Sequence, residues 1–385
     1  MVLLLALAPL VASAAGADYL VALTTRIAIW GLAAASLQML IGAAGLPSLG
    51  HGAFVGIGAY AVGVAFHHAQ GMDGALGFLA GGGADDLLVT LPVAALAAAL
   101  IALPIGAISL RTSGAYFIMI TLAFSQMLYF VTVAFADYGG EDGLSLWSRN
   151  TAAGLDTGDA IVFHYICLGL LALWLALAHR IAGSRYGLVL AAARDDDRRL
   201  RALGRSPYGL RLAAFMAAAA VAGVAGALNA NLIGFVSPTP LAWTTSGELM
   251  VMVVLGGAAT PAGAVIGAAI LVVLEEMLGR WTEHWAAILG PMLVLAAIFN
   301  RGGVLGSLSR IGGRLRGGGG DERDTHPGDP ALADGCRCDP ALRRAGGGRR
   351  PEPCGAAGRD PCADRAQRCR QDHHLCADFG RACRR

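Results

Sequence analysis

The side chains in this sequence with chemistry to offer fall into three unequal sets. The first is a single histidine, His51, within Leu46-Pro47-Ser48-Leu49-Gly50-His51-Gly52-Ala53-Phe54, followed by Gly56, Gly58 and Tyr60. A titratable ring near a membrane boundary is costly unless it is partnered or wet, so His51 reads either as a gating or helix-end bonding group or as a capped structural one. The second is an arginine-dense stretch from His179 to Arg211, holding Arg180, Arg185, Arg194, Arg198, Arg199, Arg201 and Arg205. The third is a tail past Gly319 with Cys336, Cys338, Cys354, Cys362, Cys369, Cys376 and Cys383, against Cys167 alone before it. No nucleophile–base set and no metal cluster lies in the apolar part, and the whole chain has no Lys. These residues do not read as an enzyme.

The elements that must position them are apolar and long. Of 385 residues 56% are hydrophobic and only 15% charged, and the mean hydropathy is +0.58, which excludes an ordinary soluble domain. Apolar stretches recur at 2–15, 27–45, 50–66, 87–109, 115–136, 161–180, 211–235, 243–257, 262–278 and 284–299. Most approach the roughly 20 residues that a helix needs to cross a bilayer. Helices are expected because an open strand edge in lipid leaves backbone groups unpaired. The fold class is therefore all-α, a polytopic transmembrane bundle of about 8–10 spans. Val2 to Val11, followed by Ala12-Ser13-Ala14, resembles a cleavable signal peptide, but no positive residue precedes it; a short first span or a truncated start is preferred.

Arginine sets the expected orientation. The His179–Arg211 loop and the run Arg301, Arg310, Arg314 and Arg316 after the last span should both be cytoplasmic by the positive-inside bias. An even number of crossings must then separate them. Splitting the stretch 243–278 at Gly256-Gly257-Ala258-Ala259-Thr260-Pro261 meets that condition, since Gly and Pro end one helix and start another. A re-entrant half-helix is the alternative. The opposite face receives Asp73, Asp85, Asp86, Asp137, Glu141, Asp142, Asp156 and Asp159. Span interiors hold almost no charge apart from Glu275 and Glu276 near a helix end.

Other motifs carry two readings each. The glycines around His51 suit close helix packing, which must drive association in lipid. Arg111-Thr112-Ser113-Gly114-Ala115-Tyr116-Phe117 leads into Thr121 and Gln126: Arg111 reads as an interfacial anchor, and Thr121 and Gln126 either line a polar pathway or bond neighbouring helices. Ser184-Arg185-Tyr186-Gly187 through Ala193, Arg194-Asp195-Asp196-Asp197-Arg198-Arg199 to Ala202-Leu203-Gly204 reads as one short amphipathic helix on the cytoplasmic surface. It either anchors on anionic headgroups or docks a cytoplasmic partner, burying Leu188, Leu200 and Leu203 with the charges on the rim. Gly139-Gly140-Glu141-Asp142-Gly143-Leu144 suits a tight outer turn, its acidic pair either solvated, the preferred reading, or meeting a binding-protein partner.

As a set these strings resemble one family. Ser48-Leu49-Gly50-His51-Gly52-Ala53-Phe54 with Gly58-Ala59-Tyr60, Arg111 to Tyr116 before Thr121-Leu122-Ala123, Gly139-Gly140 with Asp142-Gly143-Leu144, the Ser184–Gly204 loop, and Gly256-Gly257 followed by Gly263 and Gly267 are together similar to the M-type (LivM) permeases of branched-chain amino acid ABC importers. The likeness runs in order over about Ala17 to Gly306; Asp195-Asp196-Asp197 departs from the family's mixed acidic and Asn run. The resemblance implies a transport permease in the bacterial inner membrane. It implies an H-type second permease subunit, two ABC ATPase subunits and a periplasmic solute-binding protein as partners, with membrane lipid around it and no nucleic acid. No cofactor is expected in this chain, because ATP and Mg would be bound by the partner ATPase. Arg185, Gly187, Ala193, Arg194, Asp195, Arg198, Leu203 and Gly204 would form the ATPase-coupling loop. Ser48, Gly50, His51, Tyr60, Tyr116, Thr121, Gln126, Gly256 and Gly257 are the candidates for translocation or packing. The implied domains are a permease domain over 1–306, a juxtamembrane segment over 307–318 and a disordered or non-native tail over 319–385.

That tail has the Arg, Gly, Ala, Pro and Cys excess of a GC-rich gene read out of frame. Back-translating Ala357 to Leu375 with CGN arginine codons and shifting one base permits P-G-E-I-H-A-L-I-G-P-N-G-A-G-K-T-T-T, with Asp364 to Asp372 supplying I-G-P-N-G-A-G-K-T. The string fits the phosphate-cradling loop G-x-x-x-x-G-K-[ST] and resembles the start of an ABC ATPase. A frameshift into an adjacent ATPase gene is the expectation. The alternative is an Arg/Cys-rich disordered segment binding metal through His373, His374 and Cys376, without the paired Cys-x-x-Cys spacing of a zinc site. Two further functional readings stand beside the first: a urea or short-amide permease of the same family, and a secondary transporter working alone. The scarcity of buried charge disfavours the latter.

Overall fold

The computed structural model describes residues 18–70, 86–147, 149–150, 158–202, 204–258 and 260–281, with 5, 9, 290 and 291, all within the unit Met1–Gly318. The expected spans 2–15 and 284–299 and the whole tail lie outside the described residues, apart from those isolated positions.

Ten α-helices are described: α1 (Asp18–Met39), α2 (His51–Ala69), α3 (Leu87–Ser109), α4 (Ala115–Ala134), α5 (Ala160–Ala182), α6 (Arg185–Asp195), α7 (Asp197–Ala202), α8 (Pro207–Ile233), α9 (Trp243–Gly256) and α10 (Pro261–Trp281). Helix α1 continues as a π-helical turn, Leu40–Ala44, that Gly45 closes at φ +67°. Seven of the helices are long and apolar enough to cross a membrane. Helix α9, at 14 residues, measures about 21 Å, short of the roughly 30 Å of hydrocarbon. The expected division of 243–278 is found: α9 stops at Gly256, Gly257 adopts φ +101°, and α10 starts at Pro261.

Two expected helix starts move furthest. Helix α1 begins at Asp18 rather than 27, which brings Arg26 inside the span, where Glu275 and Glu276 of α10 neutralise it. Helix α8 begins at Pro207, a residue suited to the first helical position because it has no N–H to leave unpaired. The expected single helix over Ser184–Gly204 is two helices. Asp196 breaks it with an extended backbone, and its Oδ1 accepts the Arg198 N–H at 2.8 Å.

Helix α8 is the centre of the bundle, packed on α3, α2 and α1; α10 packs on α1 and α9. The inner surface of α8 is almost all Ala and Gly, from Ala214 through Ala218, Ala222, Gly223 and Gly226 to Ala230. In lipid this is what close approach requires, because helix association rests on van der Waals contact rather than on hydrophobic transfer. A methyl group on Gly226 would run into the Val55 carbonyl of α2, and one on Gly58 into the Gly223 carbonyl. The outward side of α3 is Leu88, Val89, Val93, Leu96, Leu100 and Leu103, a stripe fit for acyl chains. The bundle also carries a two-residue antiparallel ladder, Leu144↔Val236 and Ser145↔Phe235. The Gly139, Gly140 and Gly143 turn, all at positive φ, feeds its first strand.

Candidate functional site

Two helices start inside the bundle instead of at its surface. Ser36 of α1, eight residues before the end of the π turn, meets His51, the first residue of α2, so α2 begins about 12 Å below the end of α1. The stretch before α9 also descends. Val236 lies by Gly63, Leu241 by Gly56, and Ser246 by Gly52, a drop of about 16 Å along α2. Non-helical backbone at such depth is tolerated only when protein covers it and satisfies its polar groups. Here Ser125 of α4 donates to the Leu241 carbonyl at 2.9 Å, and Thr245 donates to Thr239 at 3.3 Å.

The start of α2 and the first turn of α9 meet in a polar seam. The Gly52 N–H, one of the orphan donors of the first turn of α2, donates to Ser246 Oγ at 2.9 Å. His51 Nε2 lies 2.8 Å from Ser36 Oγ, and Ser36 donates its one proton to the Ala33 carbonyl at 2.7 Å. His51 therefore donates from Nε2, which leaves Nδ1 a buried acceptor without a partner among the described residues. Gly50 packs on the Thr121 carbonyl, 2.7 Å from where a Cβ would stand. Ser48 Oγ accepts the Gly50 N–H at 3.2 Å.

Ser48, Gly50, His51 and Thr121 are thus brought together, though Thr121 spends its hydroxyl on Ile118 of its own helix. Tyr60 and Gln126 each keep a buried polar atom unpartnered among the described residues. Tyr116 is apart from the seam, 73% exposed. Gly256 and Gly257 serve the α9–α10 turn, where Gln38 of α1 donates to Ala258 at 2.7 Å. The seam's other members, Ser36, Ser125 and Ser246, carried no sequence signal: serine in an apolar run is common, and only the axial offset of the helices turns these three inward.

The arginine-dense elbow is built onto the end of α1. Ser184 caps α6 by accepting the Gly187 N–H at 3.3 Å, and Gly187 sits where a methyl would strike the Ile181 carbonyl. Tyr186 donates to the Leu210 carbonyl at 2.7 Å, and burial raises its phenol above the ordinary value, keeping it a donor. Leu190 and Ala193 are buried beneath α6. Arg194 Nη1 donates to the Gly42 carbonyl of the π turn at 2.6 Å. Arg211 of α8 clamps the α6–α7 junction: its guanidinium forks onto Asp197 at 2.9 and 3.0 Å and donates to Ala193 O at 2.8 Å.

The coupling residues therefore divide. Gly187 and Ala193 are consumed in packing, and Arg194 reaches back to α1. Leu200 is buried within the chain itself, so it is removed from the expected partner surface, while Leu188 is 65% exposed; Leu203 lies outside the described residues. Arg185, Asp195, Arg198 and Gly204 are exposed. Beside them Arg201, Gly204, Arg205, Ser206, Pro207 and Tyr208 line an open cleft of about 530 Å³. Among the described residues no group of three or more His, Cys, Asp or Glu is arranged to hold a metal.

The sequence profile of the family described as "Branched-chain amino acid transport system / permease component" matches residues 19–297. The chain is 31% identical over 307 residues to the Escherichia coli protein described as the high-affinity branched-chain amino acid transport system permease protein LivM, covering 74% of this chain and 69% of that one. The Salmonella typhimurium LivM is 30% identical over the same shares. The Salmonella typhimurium LivH is 28% identical over 161 residues, 41% of this chain and 51% of the relative. No solved structure matches.

Proposed function

The chain belongs to the family of branched-chain amino acid transport system permease components, and from that membership we propose that it is the M-type membrane conduit of an ATP-driven importer of branched-chain amino acids. It is a multi-pass membrane protein, a transport component by family, and its likeness to both LivM and LivH points to a pair of permeases. The bacterial inner membrane is its place in this reading. An H-type permease stands beside it, two ABC ATPases bind ATP and Mg at the elbow, and a periplasmic protein delivers the solute.

The observation that carries the mechanism is the tie between elbow and seam. Arg194 holds α6 to Gly42, and Gly42 is six residues, about 9 Å, along one helix from Ser36 and His51. A load on the exposed side of α6, at Arg185, Leu188 and Asp195, passes through that bond and along α1 to the buried start of α2. Alternating access then means shifting α1 against the α2 and α9 N-termini while the Gly-lined α2–α8 contact stays fixed. The test is co-purification and ATP-dependent leucine uptake in vesicles with the neighbouring ATPase. Uptake by this chain without ATP, driven by an ion gradient, overturns the reading in favour of a secondary transporter.

A further inference from the structure

The outward side of α9 is unlike that of a lipid-facing helix. It presents Thr244, Gly247, Glu248, Val251 and Val254, with Trp243 at its start. On α3 the corresponding stripe is apolar throughout. Glu248 is exposed, and no hydrogen bond or ion pair reaches it among the described residues. Glu275 and Arg26 act on it only at a distance. The side chain lies on the outward side of α9, open rather than packed against a neighbouring helix. The site beside Gly247 is empty, with nothing within 4 Å of where a Cβ would be.

The depth of Glu248 makes this decisive. It lies eight residues before Gly256, so about 12 Å from the elbow-side end of α9 and near the middle of the roughly 30 Å hydrocarbon layer. From there a ladder of charge continues toward the end of the bundle away from the elbow. Arg26 Nη2 is 3.2 Å from Glu275 Oε2, and Arg26 Nη1 is 3.7 Å from Glu276. Arg280 is 3.6 Å from Glu276 and stacks over the Tyr19 ring at 4.5 Å. These side chains are between 28 and 59% exposed. Ionisable groups at this depth face a water-filled cavity or one another, because hydrocarbon offers them nothing. The ladder's pairs neutralise Arg26 and Arg280, and Glu248 has no counter-charge in contact among the described residues.

We propose that the side of α9 bearing Thr244, Gly247 and Glu248, continued by the Arg26–Glu275–Glu276 ladder, is one wall of a water-filled groove running from mid-membrane to the face opposite the elbow, and that Glu248 receives the ammonium group of the zwitterionic solute. The inference rests on the permease reading for the identity of the solute. The groove itself does not. Closure of the groove belongs to the second permease subunit, so that the solute path runs along the junction of the two. The face is too polar for lipid.

Two measurements on the full chain, assembled with its partner subunits in nanodiscs, test it. A cationic thiosulfonate reagent is applied to Glu248→Cys, with Thr244→Cys as a second variant on the same stripe and Leu100→Cys as a lipid-facing reference. Modification is read by mass spectrometry on the peptide holding each position, so that the tail cysteines do not interfere. Both α9 positions should react at least tenfold faster than Leu100→Cys; equal inertness removes the groove. In ATP-driven vesicles, Glu248→Gln should cut leucine uptake about tenfold or more, and Glu248→Asp should keep most of it. Uptake by Glu248→Gln at the parent rate removes the ammonium role. If the unsubstituted assembly moves no leucine, the permease reading falls, and the labelling still decides the groove.

Discussion

Removing the Arg211 guanidinium should open the elbow without unfolding the bundle. Arg211 makes two hydrogen bonds at the α6–α7 junction, one to Asp197 Oδ2 and one to the Ala193 carbonyl, and an ion-pair contact to Asp197 Oδ1; its side chain is 18% exposed against 33% for Asp197. Hydrogen bonds to charged groups contribute about 1.5–3 kcal/mol each when buried, whereas exposed ion pairs contribute about 0.2–1 kcal/mol. This junction lies between those limits, so Arg211→Ala should cost about 2–3 kcal/mol of local stability after discounting for solvent. At about 1.4 kcal/mol per factor of ten, the open population rises roughly 30- to 150-fold. Amide hydrogen exchange reads it directly. The Leu200 N–H, bonded to the Asp196 carbonyl, and the Arg205 N–H, bonded to Leu200, report on α7. Both should exchange at least tenfold faster, while amides at the centre of α8 stay unchanged. Asp197→Asn alone should give most of the effect, and the double variant should fall well short of the sum, since both residues act through one contact. Arg211→Lys should recover less than half, because an ammonium cannot span the fork. A change below twofold in the α7 amides refutes the clamp.

Arg194→Ala should leave the folded protein within about 1 kcal/mol of the parent, because the bond to Gly42 is exposed. It should nevertheless uncouple ATP hydrolysis from uptake in vesicles; full coupling in the variant would break the proposed load path. Leu188→Asp should leave thermal stability unchanged, as the side chain is 65% exposed, and weaken co-purification of the ATPase at least tenfold; unchanged co-purification would exclude α6 as the docking face. Gly226→Ala should cost about 1–3 kcal/mol or more through overpacking against the Val55 carbonyl. Gly169→Ala, with open space around it, should be silent. Equal melting temperatures for the two glycine variants in detergent would contradict the α2–α8 contact. Finally, the nucleotide sequence beneath residues 357–375 should hold the phosphate-loop Lys codon in the plus-one frame, and an early stop there would exclude the frameshift.

Much of the bundle was legible because hydropathy adds along the chain: each apolar run reports its own solvent, whatever its neighbours do. The spans at 50–66, 87–109, 115–136 and 161–180 become α2 to α5 with ends moved by a few residues. Pro261 and the Gly256-Gly257 pair marked the α9–α10 turn by backbone chemistry alone. What failed was anything that depends on how far one helix is shifted along another. Arg26 looked like a flanking residue because its neutralising partners, Glu275 and Glu276, lie some 250 positions away and meet it only when α1 and α10 pack. Glu248 passed as part of an apolar run because a run's average does not say which side of α9 faces outward.

The residue types of the sequence by themselves determined a membrane bundle with an arginine-rich elbow and a glycine-rich, histidine-bearing turn, because transfer between water and hydrocarbon depends on composition. Only the tertiary structure decided that the turn begins about 12 Å deep, that Ser36 and Ser246 bond His51 and Gly52, and that Leu200 is already covered while Leu188 is not. Those outcomes come from the axial offsets of α1, α2 and α9. Backbone contacts at Gly58, Gly223 and Gly226 set the closeness of packing that those offsets require, and no local pattern along the chain encodes a distance between two of its parts.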